Sequence, residues 1–562
     1  MMIDKDNKKM QRSVRRLVLG VAILAILSGC VENVKGNDAC HEENPPRVLN
    51  YLNFLRQNDY RIPDDVARLY EAAREEVRLA REYDLPATFL LQYDVLVDTA
   101  YQHLLKEQLP EGCEIGVWWE ITKPHYEAAG LKWPFEQVWY PYDVMDFGVG
   151  HSPEVRERLV DVYMTKFKEV FGYLPQSVGS WYIDAYTLNY MVEKYGITAS
   201  CVCKEQVGTD GYTLWGGYWG QAYYPSKLNA HMPAQTKEGQ IDVPIFRMLG
   251  SDPIRQYDDG LKENGQGIIT MECVNGVPGS QPEWVRYFMH SFAEEPCLAF
   301  SYVQVGQENS FCWSAFGTGL TMQMGIIDSL RHEGKLQAWT LGQSGRWFKE
   351  HYAVTPATAV TAMNDWSEED LKTVWYDSRY YRVNMLWTKD GFRIRDIHKF
   401  DECKASPYLK EAAKGTKLLY YTLPLVDGFL WSRGQDIAGL RIRLADGSVA
   451  ILDEPDIVEH ADGVMTLTSR VKQGGGSFTF TLSEDCIAVK SKGCRGWLME
   501  LRAPVAERVP FTDISSDKVS AVFENFAYEV CLGRGSFMAG EGEHPFSIIP
   551  HKGEVLIQMG IK

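Results

Sequence analysis

The chain has 562 residues, 45% of them hydrophobic and 24% charged, which is too long for one ordinary domain and too apolar for a disordered one. A net charge of -17 argues against a nucleic-acid partner, since phosphate contacts need clustered Lys and Arg. The 16 Trp, 30 Tyr and 23 Phe suit a large core and equally suit surfaces on which sugars stack.

At the N-terminus Lys8, Lys9, Arg12, Arg15 and Arg16 precede the apolar run LVLGVAILAIL (17–27), and LSGC ends at Cys30. A basic start, an apolar run too short for a bilayer and small residues before a cysteine resemble a bacterial lipoprotein signal over residues 1–30. That resemblance implies export, lipidation of Cys30 and attachment to the cell envelope by the anchor alone, with residues 31–44 as a tether. Twelve cysteines minus Cys30 leave eleven, so at least one is unpaired within the mature chain. CVC (201–203) lacks a partner pair at zinc spacing and is expected in the core.

From residue 45 strands and helices alternate. RVLNYLNFL (47–55) is followed by a segment (62–85) capped at Asp64 or Asp65, with apolar residues at Val66, Leu69, Tyr70, Ala73, Val77 and Ala80 on one helical face. ATFLLQYDVL (87–96) completes a βαβ unit. Further strands are expected at 114–121, 177–183, 198–203, 267–273 and 298–305, with a helix over 152–172 that starts at Ser152 and stops at Gly172. Seven strands alternating with helices predict a parallel β/α barrel over 45–350. Residues 351–372 read as a linker. Beyond it, Asp-Gly turns at 390–391, 446–447 and 462–463 separate short β-rich runs, which predicts an antiparallel β-sandwich over 373–562.

In parallel barrels the chemistry sits where strands end. Carboxylates there are Glu120, Asp184, Glu272 and Glu308, and Asp210 lies in the loop after strand five. Cleaving a glycosidic bond takes two such groups, one as nucleophile or base and one as proton donor. Asp184 has a rival role, because it precedes AYTLNYMVEKYG, a helix that stops at Gly196, and Asp is among the best N-caps. The aromatic run over 209–229 holds Tyr212, Trp215, Tyr218, Trp219, Tyr223 and Tyr224 between glycines. It reads as a loop presenting flat rings, either to sugars or to the barrel itself. Trp119 and Trp181 sit beside two of the strand-end carboxylates.

LPATFLLQYDVL, EIGVWWEI and FGYLPQSVGSWYIDAYTLNYMVEKYGITAS, in that order, resemble the glycoside hydrolase/deacetylase barrel superfamily, including uncharacterised bacterial lipoproteins of that kind. Distant similarity extends to polysaccharide deacetylases and to glycoside hydrolase family 57, whose Trp-x-x-Glu nucleophile motif is matched by Trp181-Tyr182-Ile183-Asp184 with Asp for Glu. The resemblance implies a carbohydrate substrate, with Asp184 as nucleophile and Glu308, in GQENSF, as acid/base. Glu120 and Asp210 would complete the catalytic set, and Glu272 with the aromatic residues would bind sugar. The metal ligands of the deacetylases are replaced by Asn53 and WWEI, and His125 stands alone, so no metal or other cofactor is expected. The expected function is a metal-independent, retaining glycoside hydrolase. The alternatives are a lipoprotein that binds glycans without cleaving them and a metal-dependent deacetylase. Nothing in the sequence speaks to the oligomeric state.

Overall fold

The computed structural model describes residues 45–57, 66–136, 142–202, 217–248, 250–255, 269–416, 418 and 422–560. Cys30 and its leader, Asp210, Tyr212 and Trp215 lie outside these residues.

Nine strands form the first sheet: β1 (Arg47–Leu55), β2 (Ala87–Leu91), β3 (Glu114–Trp118), β4 (Ser177–Ser180), β5 (Ala199–Val202), β6 (Ala222–Tyr223), β7 (Ile245–Arg247), β8 (Ser301–Val305) and β9 (Gln337–Trp339). The order is β6-β7-β5-β4-β3-β2-β1-β8, with β9 also on β1, and every pairing is parallel except β6 with β7. The sheet is nearly closed. β6 and β8, the two ends of this order, do not pair, and the side chain of Gln221, just before β6, spans that seam, accepting from the Tyr302 N–H at 2.8 Å.

Alternation along the strands sends Leu52, Phe54, Leu90, Trp118, Cys201, Phe246 and Tyr302 into one buried cluster inside the sheet. Two glycines make room for it. A Cβ on Gly116 would lie 2.6 Å from Leu90, and one on Gly179 would lie 2.3 Å from Leu90 and 2.8 Å from the Cys201 sulfur. The opposite strand faces, with Leu49, Tyr51, Phe89, Val117 and Val178, pack under helices.

The longer helices are α1 (Val66–Glu82), α2 (Pro153–Phe171), α3 (Ala185–Tyr195), α4 (Pro282–Ala293), α5 (Trp313–His332) and α6 (Leu341–His351). Gly172 and Gly196 end α2 and α3 in the left-handed region at φ 82° and 72°, as their positions in the sequence predict.

Three expectations need correcting. Among the described residues of the run at 267–273 there is no parallel strand. Its described part makes one isolated antiparallel bridge, Ser251 to Thr270, and the place beside β5 belongs to β7, in VPIFRML. A three-residue strand leaves too little periodicity to stand out beside a longer apolar run. The segment 87–96 is a strand only to Leu91 and continues as a short helix over Tyr93–Val97. The expected linker carries a strand, Thr358–Ala362, at the edge of the next sheet.

The rest of the chain forms two antiparallel sheets among the described residues, one of nine strands and one of eight. Their inner faces share one buried cluster that includes Trp387, Phe392, Phe478, Phe480, Val489 and Ile557.

Candidate functional site

At the carboxyl ends of β1, β2 and β3 the inward alternation continues one step beyond the strands. After Phe54 comes Arg56, after Leu90 comes Gln92, and after Trp118 comes Glu120. Glu308 follows β8 and bridges to Phe54 in parallel fashion. Gly306 permits that close approach: at φ 122° it is tolerant backbone, and a Cβ there would lie 2.0 Å from the Leu52 carbonyl oxygen.

These groups meet at one guanidinium. Arg56 donates from Nε to Glu120 Oε2 at 2.9 Å and from Nη2 to Glu120 Oε1 at 2.8 Å. Its Nη1 donates to Glu308 Oε2. Glu120 Oε2 also accepts from Gln92 Nε2 at 3.1 Å and from Trp118 Nε1 at 2.9 Å. Arg56, Glu120 and Glu308 are 5%, 3% and 3% exposed, so this is an interior charge cluster. Buried charges survive only when paired and hydrogen-bonded, and two carboxylates on the edges of one guanidinium meet that demand.

The surroundings hold the cluster in place. Asn309 Oδ1 accepts the Arg56 N–H and Asn309 Nδ2 donates to the Arg56 carbonyl, both at 2.8 Å, so the loop after β8 is tied to the end of β1. Phe54 stacks on Trp118 at 3.8 Å, and Trp181 meets both rings edge-on at 5.5 and 5.9 Å. Of these rings Trp181 alone is only half-buried. On α1, Glu76 is fully buried with neither carboxyl oxygen hydrogen-bonded. Burial, and secondarily the charge of Glu308, hold its carboxyl well above the usual carboxylate range.

Asp184 sits in a second arginine pair at the end of β4. It is the N-cap of α3, where its Oδ1 accepts the Thr187 N–H at 3.0 Å and its Oδ2 accepts the Thr187 hydroxyl at 2.6 Å. Arg156 from α2 donates to Oδ1 at 2.5 Å and to the Tyr408 carbonyl at 2.7 Å. Asp184 is 1% exposed. The capping role foreseen for it is present, joined by an ion pair that the sequence did not reveal.

The other sequence candidates scatter. Trp119 points to the outer layer, donates to the Phe147 carbonyl at 3.3 Å and lies edge-on to His125. Tyr218, Trp219, Tyr223 and Tyr224 are all buried. Trp219 stacks on Trp375 at 4.3 Å, and the Tyr218 hydroxyl bonds Thr358 at 2.8 Å. The Tyr223 and Tyr224 hydroxyls donate to the carbonyls of Ala230 and Tyr352. These four rings pack the loop onto the antiparallel sheet and α6, which is the second of the two roles the sequence allowed. Glu272 is half-buried in a non-strand segment. A small pocket near the ends of β7 and β8 is lined by Trp219, Arg247, Tyr302 and Gln304 among others and by none of Arg56, Glu120 and Glu308.

Among the described residues no three His, Cys, Asp or Glu are grouped to hold a metal. His125 stacks on Tyr93 and bonds the Leu159 carbonyl, and burial pulls its pKa down to about 4, the behaviour of a neutral core histidine. Arg56 and Gln92 were not among the sequence candidates. The available signal was their place two residues beyond an inward aromatic or leucine, in step with Glu120.

No family model matches the chain, and no curated protein matches it. Several solved structures do. A candidate glycoside hydrolase/deacetylase from Parabacteroides distasonis is 17% identical, covering 67% of this chain and 91% of that one at a TM-score of 0.49. A candidate polysaccharide deacetylase from Pseudomonas aeruginosa is 12% identical, covering 56% and 99% at 0.34. An allantoinase is 10% identical, covering 58% and 100%, also at 0.34. These likenesses are loose, and the functional reading rests on the site itself.

Proposed function

We propose that the protein is a carbohydrate-active hydrolase, a glycosidase that works through two carboxylates without a metal, and that Glu120 and Glu308 are the pair. The observation that carries this reading is their convergence on one guanidinium at the carboxyl end of a nearly closed parallel sheet, beside the Phe54–Trp118 stack that the half-buried Trp181 meets edge-on. Asp184, pinned by Thr187 and Arg156, holds α3 in this reading and does no chemistry. The test is hydrolysis of a panel of aryl glycosides by the mature protein. Glu308→Gln lowers turnover by about 10²–10⁴-fold, the weight of a lost proton donor, and Glu120→Gln reduces it to background. Asp184→Asn retains turnover. A wild type that binds sugars on a glycan array but cleaves none is a binding lipoprotein, and loss of activity to chelator with rescue by zinc restores the deacetylase.

The reading places the enzyme at the bacterial envelope through Cys30. Cys30→Ser moves the chain from membranes to the soluble fraction, and a wild type that takes up no labelled fatty acid overturns the anchor.

A further inference from the structure

Arg56 stands one residue beyond β1, and two consecutive residues of the loop after β8 hold it at both ends. Glu308 takes the guanidinium, accepting from Nη1, and Asn309 takes the backbone. Oδ1 of Asn309 accepts the Arg56 N–H and Nδ2 donates to the Arg56 carbonyl, both at 2.8 Å. A neighbouring strand would supply the same two kinds of bond. Here a side-chain amide supplies them, past the last ladder pair of β1 and β8, Tyr51 with Val305, and past the single bridge from Phe54 to Glu308.

The amide is fixed in its orientation. Nδ2 also donates to the Leu69 carbonyl on α1 at 3.1 Å and to the Tyr101 hydroxyl at 3.4 Å. Turned over, it would set its oxygen against two carbonyl oxygens and its N–H groups against the Arg56 N–H. Asn309 is fully buried, so an apolar residue in its place would leave the Arg56 N–H and carbonyl without these partners.

This arrangement bears on the carboxylates. Because Glu308 and Asn309 are adjacent, the placement of this acid against the guanidinium is set within one dipeptide. On the other side Glu120 meets the guanidinium along a whole edge, Nε and Nη2, a two-bond geometry that tolerates little movement of the arginine stem. Drift of the Arg56 backbone would loosen both carboxylates at once. We infer that Asn309 is a positioning residue, which sets Glu120 and Glu308 relative to each other by fixing the backbone from which Arg56 reaches them. The inference rests on the glycosidase reading, in which these two carboxylates do the chemistry. Asn309 acts through Arg56 and makes or breaks no bond in the reaction.

The experiment measures kcat, KM and thermal unfolding of the mature chain, using the aryl glycoside that the wild type cleaves fastest. Each measurement is made in two backgrounds, wild type and Arg56→Lys. The lysine variant keeps the backbone that Asn309 holds and loses the two-edged fork, so support of the fold and support of the chemistry separate. Asn309→Ala is expected to lower the melting temperature equally in both backgrounds. In the wild-type background it is expected to lower kcat by at least about tenfold with KM nearly unchanged. In the Arg56→Lys background the further loss of kcat is expected to stay below about twofold. A full loss of kcat in both backgrounds makes Asn309 a general support of the fold and overturns the inference. A normal kcat in the single variant overturns it too, and both results leave the glycosidase reading standing. Asn309→Asp keeps the shape and the acceptor and loses the donor. It serves where Asn309→Ala does not fold, with the same expected pattern and the same overturning ones. A wild type that cleaves no glycoside ends both readings.

Discussion

Two buried arginine–carboxylate clusters stand at the same end of the barrel, and they are built to opposite ends. At β4, Arg156 has one carboxylate, and that carboxylate is also a helix cap whose oxygens are shared with Thr187. At β1, β3 and β8, one guanidinium serves two carboxylates from different strands, backed by a third carboxyl on α1 with no hydrogen bond. A matched pair with its lone pairs used is a joint between α2 and α3. A cluster in which one arginine divides its donors between two acids from different strands is the arrangement the proposed chemistry draws on.

The sharpest way to break this comparison is to damage each cluster and ask what is lost. Replacing Arg156 by Met leaves the Asp184 carboxylate buried without its partner, and stability is expected to fall by about 3–5 kcal/mol. Thermal or urea unfolding measures it. A variant that unfolds like wild type would mean that the β4 cluster is not a joint. At the other cluster Glu120→Gln is expected to stay folded in the same assay while losing turnover.

Trp219→Ala tests the packing role of the aromatic loop on the same footing. Its ring is sandwiched against Trp375, so truncation is expected to cost about 3–5 kcal/mol of stability. Affinity for any substrate should be little changed. Trp181→Ala is expected to show the converse, with weaker substrate binding by about 1 kcal/mol and a nearly normal melting temperature. Equal effects of the two substitutions on binding would erase the distinction between packing rings and site rings.

The smallest expected effect concerns Glu76. Its carboxyl is raised well above the ordinary 4.5 in the folded chain, so the native state holds a proton that the unfolded state releases once the pH exceeds that value. Stability is thus lost progressively as pH rises from the unfolded pKa toward the raised one, and is unaffected below it. Glu76→Gln removes the ionisation. The variant should match wild type at low pH and gain on it steadily as the pH rises. A difference between the two that does not depend on pH would mean that Glu76 is not protonated in the native chain.

How much of this was legible depends on how local each signal is. The Ser152 start and the Gly172 and Gly196 stops lie within a turn of the residues they control, and all three hold. The Glu120 and Glu308 positions follow from strand ends, and β3 and β8 were found. β7 was not, since three residues carry almost no period, and the longer apolar run at 267–273 took its place. The aromatic loop could not be resolved between its two roles. A ring that packs on Trp375 and a ring that packs on a sugar have the same composition, and only what covers the ring distinguishes them.

By itself the sequence determined the alternation of strands and helices, the change to antiparallel β-structure in the second half and the cap at Asp184, because these depend on period, turn chemistry and near neighbours. The tertiary structure alone decided which carboxylates share a site. Arg56 and Glu308 are 252 positions apart along the chain and Arg56 and Glu120 are 64 apart, and they meet because β1 lies between β2 and β8 in the sheet. Strand order is set by how the layers close over a common core, a property of the whole chain that no segment of it carries.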